Sequence, residues 1–134
     1  MFTDEISSAT RPNLTVLIVE DEALIAMDIE MMVEEHGYDV LGPASSVDKA
    51  LKLLETNRPD VGLLDANLNG ETIVPVAQRL KALNIPFVLI SAYESFDFLE
   101  SEALTDVENI GKPFNEYGLL TGLKRAFDHG NSAR

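Results

Sequence analysis

Val61-Gly62-Leu63-Leu64-Asp65-Ala66-Asn67-Leu68-Asn69-Gly70-Glu71 is a short apolar run that stops at a carboxylate and passes at once into turn residues. A run of this kind reads as a strand buried on both faces, and such strands belong to parallel sheets covered by helices. In open α/β sheets the reactive groups collect in the crevice beyond the carboxyl ends of the strands, so Asp65 is expected at its mouth. Taken alone, an aspartate at a strand end is more often a turn former or a helix cap.

Other runs end in the same manner. Leu14-Thr15-Val16-Leu17-Ile18-Val19 leads into Glu20-Asp21, Pro86-Phe87-Val88-Leu89-Ile90 into Ser91, and the weaker Val107-Glu108-Asn109-Ile110-Gly111 into Lys112-Pro113. If these are parallel strands of one sheet, three carboxylates, a hydroxyl and an ammonium gather along one edge.

Helical spacing fills the gaps between the strands. Ala23 to His36 carries a broad apolar stripe of Leu24, Ile25, Met27, Ile29, Met31, Met32 and Val33, its methionines read as core filling, with Gly37 stopping the helix and His36 suited to its C-terminal dipole. Tyr38–Leu41 reads as a second strand ended by Gly42-Pro43, and Ser45 or Ser46 caps a helix running to about Thr56. Asn67-Leu68-Asn69-Gly70 reads as a loop, followed by a helix from about Ile73 to Leu83. A short or irregular helix is expected within Ala92–Asp106, and a last one over about Asn115–Asp128, weakened by Gly118 and Gly122. Five strands alternating with five helices give a doubly wound α/β sandwich around a parallel sheet of order 2-1-3-4-5. That order sets strands one and three side by side and brings Glu20, Asp21 and Asp65 together.

Length and composition agree. The 134 residues suit one domain with a mobile polar arm over 1–13, a folded unit over 14–128 and a tail over 129–134. There is no cysteine, hence no disulfide and no thiolate metal site. Neither a signal-like N-terminus nor a membrane-length apolar run occurs, which favours a cytoplasmic protein with no membrane partner. A net charge of −13 repels nucleic acid phosphates, so no nucleic acid partner is expected.

The strand ends define a chemistry. Three carboxylates in one pocket repel unless a cation lies between them, and hard oxygen donors suit Mg²⁺. Asp21 and Asp65 would bind it directly and Glu20 directly or through water, with a backbone carbonyl of the Asp65 loop, that of Asn67, as a further ligand. The bland alternative is a set of solvated loop acids, with Lys112 no more than an ion-pair partner of Asp65. A metal-bound carboxylate flanked by an ammonium and a hydroxyl nevertheless matches phosphoryl transfer, with Asp65 as nucleophile and Ser91 bonding a phosphoryl oxygen.

Val19-Glu20-Asp21-Glu22, Leu64-Asp65-Ala66-Asn67-Leu68-Asn69-Gly70, Leu89-Ile90-Ser91-Ala92 and Gly111-Lys112-Pro113-Phe114 together resemble the receiver domain of two-component response regulators, over about residues 14–128. The resemblance implies a flavodoxin-like receiver sandwich. It also implies Asp65 as phosphoacceptor, Glu20 and Asp21 as the acidic pair for Mg²⁺, Ser91 as switch hydroxyl, Lys112 as phosphate-contacting lysine and a cis Lys112-Pro113 bond. A histidine kinase or histidine phosphotransfer protein would be the donor and a downstream protein the target. With little chain after the fifth helix, a stand-alone receiver without a DNA-binding output domain is expected. Two departures stand out. Asn109 occupies the position where receivers usually carry Tyr or Phe, and Ala92-Tyr93 resembles an atypical subgroup with an altered fourth helix. Tyr93 is therefore the candidate to report the switch in place of the missing aromatic. The competing reading is a Mg²⁺-dependent aspartyl-phosphate phosphatase or phosphotransferase acting on small substrates. It suffers from Asn67, which stands two residues after Asp65 where a general acid would serve a leaving group.

Overall fold

A computed structural model describes residues 13–91, 104 and 107–132. Residues 1–12 of the expected arm, most of the helix expected within Ala92–Asp106, and Tyr93 with it, lie outside the described residues.

The elements run β1 (Thr15–Val19), α1 (Ala23–Glu35), β2 (Asp39–Ala44), α2 (Val47–Thr56), β3 (Val61–Asp65), a small hairpin β4 (Asn67–Leu68) and β5 (Glu71–Thr72), α3 (Val74–Ala82), β6 (Phe87–Ser91), β7 (Glu108–Gly111) and α4 (Glu116–Ser132). The main sheet is all parallel, in the order β2-β1-β3-β6-β7. With the hairpin strands set aside this is the order 2-1-3-4-5, and the winding reverses between β1 and β3.

Alternate residues of the central strands feed two cores, as the pleat requires. Leu17, Leu64 and Leu89 face one side and pack with Ala50 and Leu54 of α2 and Val76, Ala77 and Leu80 of α3. Ile18, Leu63, Val88 and Ile90 face the other and pack with Ile29 and Val33 of α1 and Leu119, Leu123 and Ala126 of α4. Both faces are therefore covered, which is why the strands read as continuous apolar runs. Each such leucine or isoleucine stabilises the fold by about 1.5–3 kcal/mol on burial.

Local chemistry accounts for the boundaries. Ser46 caps α2, its Oγ accepting the Lys49 N–H at 3.1 Å. His36 follows α1 with its ring Nδ1 3.1 Å from the Met32 carbonyl, in keeping with its expected place at the helix end. Pro75 stands in the first turn of α3, where no N–H is required.

The structure departs from the sequence reading at four places. Strand β2 continues through Gly42-Pro43 to Ala44, because it is an edge strand where proline's missing donor faces away from the sheet, and an extra residue is absorbed between the pairs Leu17–Leu41 and Val19–Ala44. Gly42 has φ +99°, and a Cβ there would lie 2.8 Å from the Ala44 nitrogen. The segment expected as a loop after Asp65 is the β4–β5 hairpin, closed by Asn69 and Gly70 at φ 51° and 89°, as an Asn-Gly turn allows. Met27 and Met31 are not core filling: they are 57% and 58% exposed, with Leu24 at 81%. The apolar stripe of α1 is wider than one helix face, and only Ala26, Ile29 and Val33 fall fully inward. Finally, α4 passes Asp128 and reaches Ser132, with Gly130 against Pro86, where a Cβ would come within 2.8 Å of the ring.

Candidate functional site

Backbone bonds that prolong the ladder past the strand ends hold the site in place. The N–H of Glu20 donates to the Ala44 carbonyl at 2.9 Å, that of Ala66 to Ile90 at 2.8 Å, and that of Lys112 to Ser91 at 3.0 Å. Glu20, Asp65 and Ser91 are thereby fixed at neighbouring carboxyl ends, and they are the buried polar or charged residues of the described chain, at 2%, 3% and 3% exposure.

Glu20, Asp21 and Asp65 each offer a carboxylate oxygen, and these atoms lie within 4.8 Å of one another. Asp65 Oδ1 accepts the Asn67 N–H at 3.1 Å, and Asp65 Oδ2 accepts from Lys112 Nζ at 3.2 Å. Glu20 Oε2 accepts the Glu22 N–H at 3.1 Å, while Oε1 faces Lys112 Nζ at 3.7 Å. The Lys112–Pro113 and Gly42–Pro43 bonds are cis.

Electrostatics follow from this crowding. Burial pushes the Glu20 carboxyl up to about 7, the neighbouring Asp65 carboxyl adding to the rise while the Glu22 N–H and Lys112 oppose it. For Lys112, burial works to lower the pKa, but the Asp65 and Glu20 carboxylates outweigh it and hold the ammonium above its ordinary value. One lysine does not fully satisfy the acids: Glu20 Oε1 is buried without a hydrogen-bond partner. An orphaned carboxylate oxygen, two further carboxylates within reach and an all-oxygen donor set fit a hard divalent cation.

The structure thus brings Glu20, Asp21, Asp65 and Lys112 together as one cluster. Asn67 contributes its N–H to Asp65, and its side-chain Oδ1 accepts from Gly70 at 3.2 Å, which shapes the hairpin rather than the pocket. Ser91 stands at the end of β6, but its hydroxyl donates to Asn109 Oδ1 at 3.0 Å. Asn109 was legible in the sequence only as a departure from an aromatic pattern; its bond to Ser91 depends on strand register, which the sequence does not display.

A doubly wound parallel sheet with acids and a lysine at its switch point defines the class of flavodoxin-like α/β proteins that work at this edge. Within that class the chain belongs to the response regulator receiver domain family, whose model matches residues 16–124. This is a family of two-component and phosphorelay signalling. Among curated relatives, the phyllosphere-induced regulator PhyR of Methylorubrum extorquens is 35% identical over 122 residues, covering 89% of this chain and 45% of PhyR. The transcriptional regulatory protein PdtaR of Mycobacterium tuberculosis is 31% identical over 113 residues, covering 83% of this chain and 55% of PdtaR. The chain spans about half the length of these two relatives. The solution structure of SdrG from Sphingomonas melonis superposes with a TM-score of 0.75 at 33% identity, covering 88% of this chain and 98% of SdrG. Membership in a receiver family does not favour the alternative of an aspartyl-phosphate phosphatase for small substrates. Among the described residues no helix is long and apolar enough to cross a membrane.

Proposed function

We propose that residues 14–128 act as a receiver that takes a phosphoryl group on Asp65 from a histidine kinase or a histidine phosphotransfer protein, with Mg²⁺ as cofactor. The observation that carries this reading is Asp65 itself, nearly enclosed, with Lys112 on one oxygen and Glu20 and Asp21 within ligand distance. One Asp65 oxygen attacks phosphorus in line as the bond to the donor imidazole nitrogen breaks, the electron pair leaving with the nitrogen. Lys112 neutralises charge on the transferring oxygens, and the Asn67 N–H fixes the carboxylate's orientation. Glu20, Asp21 and Asp65, with the Asn67 carbonyl, are the residues that would hold Mg²⁺. When bound, the metal supplies charge neutralisation for the equatorial oxygens.

A protein donor is favoured over a small substrate by the surface beside the pocket. Leu24, Met27 and Met31 stand exposed on α1, the helix that leaves Glu20-Asp21-Glu22, and such residues serve contact with another protein. The phosphorylated site then draws in Ser91, and Tyr93 is the residue proposed to carry the change to a downstream protein target. Beyond its own phosphorylation and dephosphorylation, no enzymatic turnover is proposed, and an acidic chain of net charge −13 does not suit nucleic acid.

The test is incubation with acetyl phosphate and Mg²⁺ followed by intact mass. One added phosphate is expected, absent in Asp65→Asn and absent with chelator. Equal labelling of Asp65→Asn would sink the assignment.

A further inference from the structure

We propose that Asn109 is a positioning residue for this site: its side-chain carbonyl holds the Ser91 hydroxyl in the unphosphorylated state, and a phosphoryl group on Asp65 must win that hydroxyl from it. The proposal rests on the reading of Asp65 and Ser91 given above and names a further residue that this reading does not use.

The geometry comes from the pairing of the last two strands. Asn109 lies opposite Leu89 in the β6–β7 ladder, and Ser91 lies opposite Gly111. Leu89 and Ser91 are two residues apart, so Asn109 and Ser91 project from the same face of the sheet as diagonal neighbours. Their side chains meet, Ser91 Oγ donating to Asn109 Oδ1 at 3.0 Å.

A serine hydroxyl has a single proton to give. While it is given to Asn109, none remains for a phosphoryl oxygen at Asp65. Nor does solvent offer an easy third partner, because Ser91 is only 3% exposed and a buried hydroxyl keeps a partner in either state. The two acceptors therefore compete for one donor. Breaking the Asn109 bond is a cost that every phosphorylated molecule meets, and it lowers the apparent affinity of the site for a phosphoryl group by the fraction of molecules in which Ser91 is free. A hydrogen bond of ordinary net strength sets that factor at about three- to tenfold. Asn109 thus biases the resting state without touching the reacting atoms.

The experiment is a beryllofluoride titration of the full chain in the presence of Mg²⁺, alongside titration with Mg²⁺ alone, for wild type, Asn109→Ala, Asn109→Leu, Ser91→Ala and the Ser91→Ala/Asn109→Ala pair. Asn109→Leu keeps bulk on β7 in case the smaller side chain disturbs folding, and thermal melts identify folded variants. Both Asn109 variants are expected to bind beryllofluoride about three- to tenfold more tightly than wild type, with Mg²⁺ affinity unchanged. In the Ser91→Ala background the Asn109 substitution should have no effect. In wild type, the Asn109 side-chain amide resonance should shift on beryllofluoride binding, and in Ser91→Ala it should already be shifted before binding. Affinities unchanged by either Asn109 variant, or a gain that persists without Ser91, overturn the proposal. A wild type whose beryllofluoride binding survives Asp65→Asn overturns the phosphoacceptor reading and this proposal with it, an outcome distinct from normal wild-type binding with inert Asn109 variants.

Discussion

Lys112 Nζ stands 3.2 Å from Asp65 Oδ2 and 3.7 Å from Glu20 Oε1, so a single ammonium from the turn after β7 bridges acids from the ends of β3 and β1. In the proposed transfer, the cation that compensates the resting pocket would also be the one to meet a phosphoryl oxygen. Lys112→Ala is expected to slow labelling by acetyl phosphate by about a hundredfold, the scale on which one fixed electrostatic stabiliser acts. Lys112→Arg should recover little of it, since a planar fork does not reproduce a point charge in this space. Time courses of intact mass measure both, and labelling of Lys112→Ala at the wild-type rate would count against any role for the ammonium in transfer.

The burial of Glu20 predicts a pH dependence for metal-free protein. Its carboxyl ionises at about 7 when folded against 4.5 as the ordinary value, so between those limits the folded state retains a proton that the unfolded state has lost. Stability from this group is full below 4.5, declines as pH rises, and is lost above about 7. Urea melts with chelator present should show Glu20→Gln gaining on wild type from pH 5 to pH 8. Parallel curves for the two proteins would mean that Glu20 ionises normally.

Addition of Mg²⁺ should act in the opposite sense. A ligand that binds only the folded state at ten times its Kd stabilises by about 1.4 kcal/mol, or roughly 5 °C in Tm for a domain of this size. Asp21→Ala, which removes the half-exposed member of the trio, should lose most of that increment. Calorimetry with and without Mg²⁺ decides the matter; equal shifts in both proteins would mean that Asp21 takes no part in holding the metal.

Away from the pocket, α1 offers a contrast between two kinds of apolar residue on one helix. Ile29→Ala should cost about 2–5 kcal/mol, because it leaves a cavity against β1 and β3. Met31→Gln should change stability by less than about 0.5 kcal/mol, since its side chain is more than half exposed. Chemical denaturation of the two variants compares them directly, and a large loss for Met31→Gln would return that residue to the core.

The three central strands were legible because they are buried on both faces and carry no charged interruption before their ends: Thr15–Val19 and Phe87–Ser91 fall where the apolar runs fall. Glu20 and Asp65 were legible for the same reason, each being the first charge after such a run, and Asp21 follows Glu20 directly. What escaped was whatever depends on which side of an element is covered. Met27 and Met31 share an apolar helix with Ile29, and only the docking of α1 on the sheet separates them. Pro43 reads as a strand terminator until β2 proves to be at the edge, where a missing donor is harmless. The meeting of Asn109 with Ser91 is likewise a product of β6–β7 register across 18 residues of sequence.

That same edge strand shapes how the molecule can meet others. An open sheet margin is a template on which any extended chain can add itself by backbone pairing. Along β2 the template is spoiled, for Pro43 offers no donor, the extra residue beside it throws the repeat out of step, and Gly42 is turned out of extended geometry. At the opposite margin β7 is only four residues long. Growth of the described sheet from molecule to molecule is discouraged at both margins, so an extended chain meets no ready template there.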